Sequence, residues 1–306
     1  MERELLLGKI AQALKERGFG IILFTHTNSC FDIIARGAQA TLAVKAYGNI
    51  DAIRQGQAAE LVKVGRVLGV NAIIVGIKAK AFTLKDGTVY ERYGLPVVTV
   101  GTLKNALDEK MPGVRCFKGR EVVALDAERL HGKRKALGLT LDELANRVDS
   151  TAESIHRYEK GFGASLGTAK RLEDELHEKL IRKVDLFTPA GEAEFDIEMK
   201  DEVMRKIQNL GIDLAEFRHA PFHAYSKPGE ELLIGRGKNR RDVLHRAEQL
   251  GKAKGAFGHE GVVVAKEFRQ GQAYGVPVVK EDELDALSKG KDLIRLIKEK
   301  KGEAEL

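Results

Sequence analysis

Leu139-Thr140-Leu141-Asp142-Glu143-Leu144-Ala145 and, one turn further on, Ile155-His156-Arg157-Tyr158-Glu159-Lys160-Gly161 read as two short helices folded against each other. Thr140 is placed to cap the first, Leu141–Val148, and Asp142 and Glu143 occupy the turn where the helix dipole favours acids. Leu144 and Ala145 face inward, and the small Ala145 lets the next helix approach closely. Asp149-Ser150 makes the turn, with Asp tolerating a left-handed backbone better than most residues. Thr151 caps the second helix, which runs to Lys160. Ile155 and Tyr158, three apart, share its buried face, leaving Ala152, Glu153, His156 and Arg157 on the other. Gly161 ends it. Upstream, Ala127–Leu137 reads as a helix with Leu130 and Leu137 inward, stopped by Gly138. Downstream, Leu166–Leu180 reads as a supporting helix.

Outward from this stretch the pattern changes. The chain has 306 residues, enough for two or three domains. Residues 1–110 alternate between helix and strand: an amphipathic helix at Glu2–Arg17, strand-like runs at Gly20–Thr25, Phe31–Ala35, Thr41–Ala46, Ala72–Val75 and Pro96–Val100, and a helix at Ile53–Leu68. Residues 197–306 return to the same α/β pattern. Turn-rich linkers are read at 111–125 and 188–196, bounding a helical domain at 126–187. The two α/β stretches look like copies. Tyr93-Gly94-Leu95-Pro96-Val97-Val98 is echoed by Tyr274-Gly275-Val276-Pro277-Val278-Val279, and Ser29-Cys30-Phe31-Asp32-Ile33 aligns with Ala220-Pro221-Phe222-His223-Ala224.

The two opening heptapeptides resemble the halves of the Cro/lambda-repressor (XRE) helix-turn-helix, at its usual separation and without gaps. The resemblance implies double-stranded DNA as partner and a transcriptional regulator as function. Ala152, Glu153, His156 and Arg157 become the base readers: Arg157 for guanine, Glu153 for cytosine, Ala152 for a thymine methyl. Lys133, Arg147 and Lys160 become phosphate contacts. Arg134 and Glu159 occupy the positions of an ion pair that locks the second helix to the body. Two departures stand out: Asp149 replaces the usual turn glycine, and Leu141 replaces a glutamine that touches DNA. From Asp126 to Gly161 seven acidic residues balance seven basic ones. A single copy of so neutral a motif binds weakly, which favours a homodimer on a two-fold site. A helical unit that contacts protein instead of DNA is the alternative reading of the same residues.

The first α/β stretch carries a second resemblance. Phe31-Asp32-Ile33-Ile34-Ala35 and Leu42-Ala43-Val44-Lys45, with Glu2 in the first helix, are similar to archaeal Holliday-junction resolvases and the wider PD-(D/E)XK nucleases. That family holds a divalent metal between an Asp and a Glu, with a Lys two residues beyond the Glu. Asp32 and Lys45 match, but Ala43 stands where the Glu belongs, and Ala cannot ligate a hard cation. Glu60 is the candidate replacement. In the second copy His223, Leu233 and Gly235 fall at the three positions. Both copies are therefore read as nuclease-like scaffolds without catalysis; the alternative is a metal-dependent nuclease or junction-binding protein using Asp32, Lys45, Glu60 and Glu2.

The fold class expected is multi-domain: an all-α lambda-repressor-like helix-turn-helix between two α/β, degenerate restriction-endonuclease-like domains. The whole chain resembles archaeal helix-turn-helix regulators. No cofactor is implied. Cys30 and Cys116 make no metal-ligating pair, His219 and His223 lack acidic or Cys partners at ligand spacing, and Gly235-Arg236-Gly237 is not a phosphate-loop spacing. No apolar run reaches the roughly 18 residues of a membrane span, and the charged start, Met1-Glu2-Arg3-Glu4, is unlike a secretion signal. A cytoplasmic location is expected. The net charge is +6. The densest basic stretch, Arg236, Lys238, Arg240 and Arg241, lies outside the helix-turn-helix and reads equally as a solvated loop or a phosphate-tracking one.

Overall fold

The computed structural model describes residues 2–24, 29–117, 119–188, 191, 195–196, 199–227 and 231–302. Thr25 and most of the 188–196 linker, Pro189 and Ala190 included, lie outside the described residues. The chain divides into two compact units that do not follow chain order. One comprises Met1–Lys9, Tyr47–Ala52 and Ile73–Thr188; the other comprises Ile10–Ala46, Ile53–Ala72 and Pro189–Leu306. Residues 1–110 therefore contribute to both units, whereas 126–187 belong to the first.

The first α/β stretch runs α1 (Glu2–Lys15), β1 (Gly20–Leu23), β2 (Ile33–Arg36), β3 (Thr41–Asn49), a 3-10 turn (Ile50–Ala52), α2 (Gln55–Val67), β4 (Asn71–Lys78), β5 (Thr88–Arg92), β6 (Leu95–Val98) and α3 (Val100–Leu107). Next come β7 (Val114–Phe117), β8 (Arg120–Val123), α4 (Ala127–Ala136), α5 (Leu141–Arg147), α6 (Ala152–Glu159) and α7 (Leu166–Leu176). The last stretch holds α8 (Glu202–Asn209), β9 (Leu214–Glu216), β10 (Ala224–Ser226), β11 (Leu232–Gly237), α9 (Arg240–Phe257), β12 (Glu260–Ala265), β13 (Gln272–Ala273), β14 (Val276–Lys280), α10 (Glu281–Asp285) and α11 (Gly290–Gly302).

In the first unit the strands lie in the order β4-β6-β5-β7-β8. Residues 111–125, read from sequence as a linker, instead carry β7 and β8, and β7 pairs in parallel with β5 through Thr88↔Val114. Each of these strands is only four residues long, too short for a two-residue alternation to show. The hairpin straps the helical domain in place. Val123 and Ala164 exchange backbone hydrogen bonds of 2.9 Å in both directions, Asp126 N–H donates to Leu180 O, and Val184 N–H donates to Pro112 O. One core joins the two parts: Val123 and Leu125 are buried with Leu130, Leu144, Val148, Ile155, Ala169, Leu172 and Leu176.

Two expectations for the helices need correction. Leu137 does not face inward; as the C-cap of α4, where the chain turns into Gly138 at φ +70°, it is 51% exposed. The supporting helix α7 ends at Leu176, because His177 takes a left-handed φ of 48°; Leu180 is still buried, but in extended chain held by the Glu173 carboxylate.

In the second unit β1, β2 and β3 form an antiparallel meander, with Ile33↔Val44 and Ile34↔Ala43 as partners. A six-stranded sheet, ordered β13-β14-β12-β11-β10-β9, completes it. Met204, Ile207, Leu214, Ile234, Val264, Leu293 and Ile297 fill the core that α8 and α11 share with this sheet. Helix α9 packs close to the sheet because Gly235 and Gly261 present no side chain to Leu250: an added Cβ would lie 2.9 Å and 3.1 Å from its atoms.

The two α/β stretches repeat one pattern. Antiparallel β1-β2-β3 corresponds to antiparallel β9-β10-β11, and parallel β4 and β6 with antiparallel β5 correspond to β12, β14 and β13. The Tyr-Gly pair closes the same hairpin in each, with φ of 53° and 78° at Tyr93-Gly94 and 51° and 71° at Tyr274-Gly275, two successive positive values as a type I′ turn needs. Among the described residues no helix is long and apolar enough to cross a membrane.

Candidate nucleic-acid interface

The helical domain is built by side chains that finish helix ends. Asp126 accepts from Arg129 N–H at the start of α4. Thr140 and Glu143 form a reciprocal capping box on α5, Thr151 accepts from Ser154 N–H on α6, and Ser165 does the same for α7. Asp149, at the turn between α5 and α6, holds φ 51°. At the other end of α5, the Arg171 guanidinium donates to Val148 O at 2.7 Å, satisfying a carbonyl that the helix leaves open.

Helix α6 is fastened from behind. Arg134 donates from Nε to Glu159 Oε1 at 2.6 Å and from Nη2 to Oε2 at 2.9 Å, and its Nη1 donates to Leu139 O at 2.8 Å. His131 Nδ1 lies 2.8 Å from the same carboxylate. Both partners of the Arg134–Glu159 pair have side chains about 5% exposed. Burial pushes the Glu159 carboxyl upward, but the Arg134 and His131 hydrogen bonds outweigh it and hold the group below the usual carboxylate range. Ile155 is fully buried beneath the helix.

The opposite face is open. Glu153, His156, Arg157 and Lys160 are exposed and Ala152 is half-buried. Among the described residues, the side chains of Glu153, His156 and Lys160 have no ion-pair or hydrogen-bond partner. The Arg157 guanidinium stacks over the Phe162 ring, 5.0 Å from its centre. Phe162 is 53% exposed. It is held out by its neighbours: Gly161 turns at φ +88°, and Gly163 sits where a Cβ would be 2.5 Å from Val122 Cγ1. Sequence reasoning missed Phe162, and an aromatic set between two glycines was the available signal. Two expected phosphate contacts are already paired: Arg147 with Glu175 at 3.0 Å and Lys133 with Glu178 at 3.8 Å.

The nuclease-like centre is closed. Asp32 is 0% exposed. Lys45 Nζ donates to its Oδ1 at 2.9 Å and to Ser29 O at 2.5 Å, and Ala46 N–H donates to Oδ2 at 2.9 Å. Ala43 is buried opposite Ile34. Glu60 does not replace the missing acid, because its carboxylate accepts the backbone N–H groups of Arg218, at 2.7 Å, and of His219. Burial, and next the charge of Glu60, drive the Cys30 thiol well above its ordinary pKa, so it offers no thiolate. Glu2 belongs to the other compact unit, beside Gly48 and 3.7 Å from Lys78. A divalent cation needs several open oxygen ligands, and this donor set does not fit one: the one matching carboxylate is neutralised by a lysine and a backbone amide. Among the described residues no three His, Cys, Asp or Glu side chains are grouped as metal ligands.

The second copy repeats the geometry with different chemistry. His223 stands at the Asp32 position. Its N–H donates to Ile234 O as that of Asp32 donates to Val44 O, and its Nδ1 accepts from Arg236 N–H as the Asp32 carboxylate accepts from Ala46 N–H. Burial, then the nearby Arg246 charge, lower the His223 pKa to about 4, so the ring is neutral at pH 7. Gly235 replaces the lysine at the place where α9 leaves no room for one.

Residues 3–112 match the model of the PD-(D/E)XK superfamily domain, and residues 130–180 match a helix-turn-helix model. A "Putative HTH-type transcriptional regulatory protein" of Pyrococcus horikoshii is 31% identical over 98% of this chain and 99% of its own length. Proteins of the same description from Archaeoglobus fulgidus and Thermococcus kodakarensis are 30% and 29% identical; the alignments cover 96% and 99% of this chain and 97% and 98% of theirs. No solved structure matches the chain. With the likeness running almost end to end, the chain, which joins an XRE-type helix-turn-helix to a PD-(D/E)XK domain, belongs to this family of HTH-type transcriptional regulatory proteins.

Proposed function

We propose that the protein is a sequence-specific regulator that reads double-stranded DNA with α6 and works as a homodimer. The observation that carries this reading is the asymmetry of α6: its inner face is locked by Ile155 and the Arg134–Glu159 pair, while its outer face stands in solvent. A rigid helix with unpaired polar side chains on one side is what reading base edges in a major groove requires. Ala152, Glu153, His156 and Arg157 are the proposed base readers. Lys160 is the readiest phosphate contact; Lys133 and Arg147 serve only by exchanging Glu178 and Glu175 for phosphate. The relatives' description as transcriptional regulators supports the same reading. The even charge balance of the motif supports the dimer, since two weak half-sites on one duplex add their binding free energies.

Selection of bound duplexes from a random pool tests it. The expected result is a recovered two-fold symmetric consensus, with or without Mg²⁺. Failure to enrich any sequence would overturn the proposal.

A further inference from the structure

Five cations gather where two parallel strands end. Gly237 and Ala265 are register partners and the last residues of β11 and β12, so Lys238 and Lys266 leave the sheet side by side. Arg240 and Arg241 open α9, and Arg240 lines one surface depression with Glu267, Phe268, Arg269 and Gln270. Lys238, Arg240, Arg241, Lys266 and Arg269 are all exposed, and among the described residues none of their side chains makes an ion pair or hydrogen bond.

Several other cations of the same unit are paired: Lys252 with Glu248, Lys254 and Lys301 with Glu260, Lys206 with Asp285. Arg236, which the sequence places in the same basic run, pairs with Asp201 and lies 3.7 Å from Glu281, and so drops out of the cluster. Asp242 caps the Lys238 backbone N–H and lies 3.8 Å from Arg246, which leaves Glu267 as the unpaired carboxylate among them. A patch of unbalanced positive charge attracts anions, and a polyanion gains most because its binding releases many condensed counterions.

We propose that this cluster is a second DNA-contacting surface, which tracks the phosphate backbone of a duplex without reading its bases. The choice of duplex DNA as the polyanion rests on the function proposed above. An anionic membrane fits less well, because the aromatic side chain of the cluster, Phe268, is 8% exposed and so is not presented for insertion. Flexible, exposed lysines and arginines supply charge to phosphates rather than a fixed donor pattern to base edges.

The test uses the full chain and a duplex of random sequence, with affinity measured across a salt series. Two variants are compared: one carrying Lys238→Gln, Arg240→Gln, Arg241→Gln, Lys266→Gln and Arg269→Gln, and one carrying His156→Ala, Arg157→Ala and Lys160→Ala. Each phosphate contact contributes about 0.9 to the slope of log K against log salt. The cluster variant is expected to lose about 4–5 from that slope while still selecting the same consensus. The helix variant is expected to lose the consensus and keep salt-sensitive binding. Single changes at Arg240 or Arg269 lower the slope by about 0.9 each, and they guard against misfolding of the fivefold variant. An unchanged slope in the cluster variant, or no salt-sensitive binding by the helix variant, overturns the proposal. If the intact chain selects no consensus but the cluster still sets the slope, the regulator reading falls and this surface stands.

Discussion

Removing the Arg134 guanidinium leaves the Glu159 carboxylate in a pocket where its side chain is 6% exposed. Breaking one side of a buried pair costs about 3–5 kcal/mol, because the remaining charge loses its partner and has little water to replace it. Arg134→Ala should therefore lower the unfolding free energy by about 3 kcal/mol in denaturant titration, and adding Glu159→Ala should recover part of the loss. The same pair sets a pH dependence. Glu159 has a lower pKa folded than unfolded, so its contribution is fully present above the ordinary carboxylate value of about 4.3. It is lost as pH falls through the depressed folded value. A melting series from pH 7 to pH 3 should show a steeper acid-side fall for the wild type than for Glu159→Gln. Parallel curves would mean that the pair contributes nothing across this range.

At the scale of elements, the β7–β8 hairpin determines how firmly α6 and its following loop are held. The loop reaches β8 through Gly163, where a Cβ would meet Val122 Cγ1 at 2.5 Å and Val123 O at 3.1 Å. Overpacking of this kind costs about 1–3 kcal/mol. Gly163→Ala should lower the stability of the helical domain by that amount and speed amide exchange at Ala164 and Val123, whereas unaltered exchange would show that the strap is slack. Thr140→Ala, which removes the capping box of α5, should cost about 1 kcal/mol.

The helices were legible in the sequence because each announces its ends: Thr140 and Thr151 as caps, Asp149 and Gly161 as left-handed turns. The repeat was legible through Tyr-Gly-x-Pro-Val-Val, since the type I′ turn restricts which residues can stand there. The hairpin was not, because its strands are four residues long and take part of their burial from the helical domain they meet. Leu137 misled because a Leu at helical spacing reads as core, yet it lies at the C-cap, where the helix has already ended. The pairing of Arg147 and Lys133 with acids of the Glu175–Glu178 region depends on contacts distant in sequence, which spacing alone does not reveal.

At the scale of the whole molecule, one α/β pattern has been kept twice while its chemistry changed. In the first copy a buried Asp32–Lys45 pair fills the place of a metal centre, and in the second a neutral His223 and Gly235 do so. On the proposed reading Asp32 and Lys45 are structural residues. Asp32→Ala should cost about 3–5 kcal/mol by stranding Lys45, read by denaturant titration. The wild type should leave supercoiled plasmid and four-way junctions uncut with Mg²⁺ or Mn²⁺; metal-dependent cutting that Asp32→Ala abolishes would return these residues to catalysis.

The proposed reading helix meets its most direct test in competition titrations of the selected duplex and its single-base variants, with wild type, Arg157→Ala and Lys160→Ala. Arg157→Ala is expected to lose about 1–3 kcal/mol of discrimination at one base pair and to keep the rest, while Lys160→Ala weakens all duplexes alike and reduces the salt slope by about 1. Discrimination that survives intact in Arg157→Ala at every position would contradict the proposed reading.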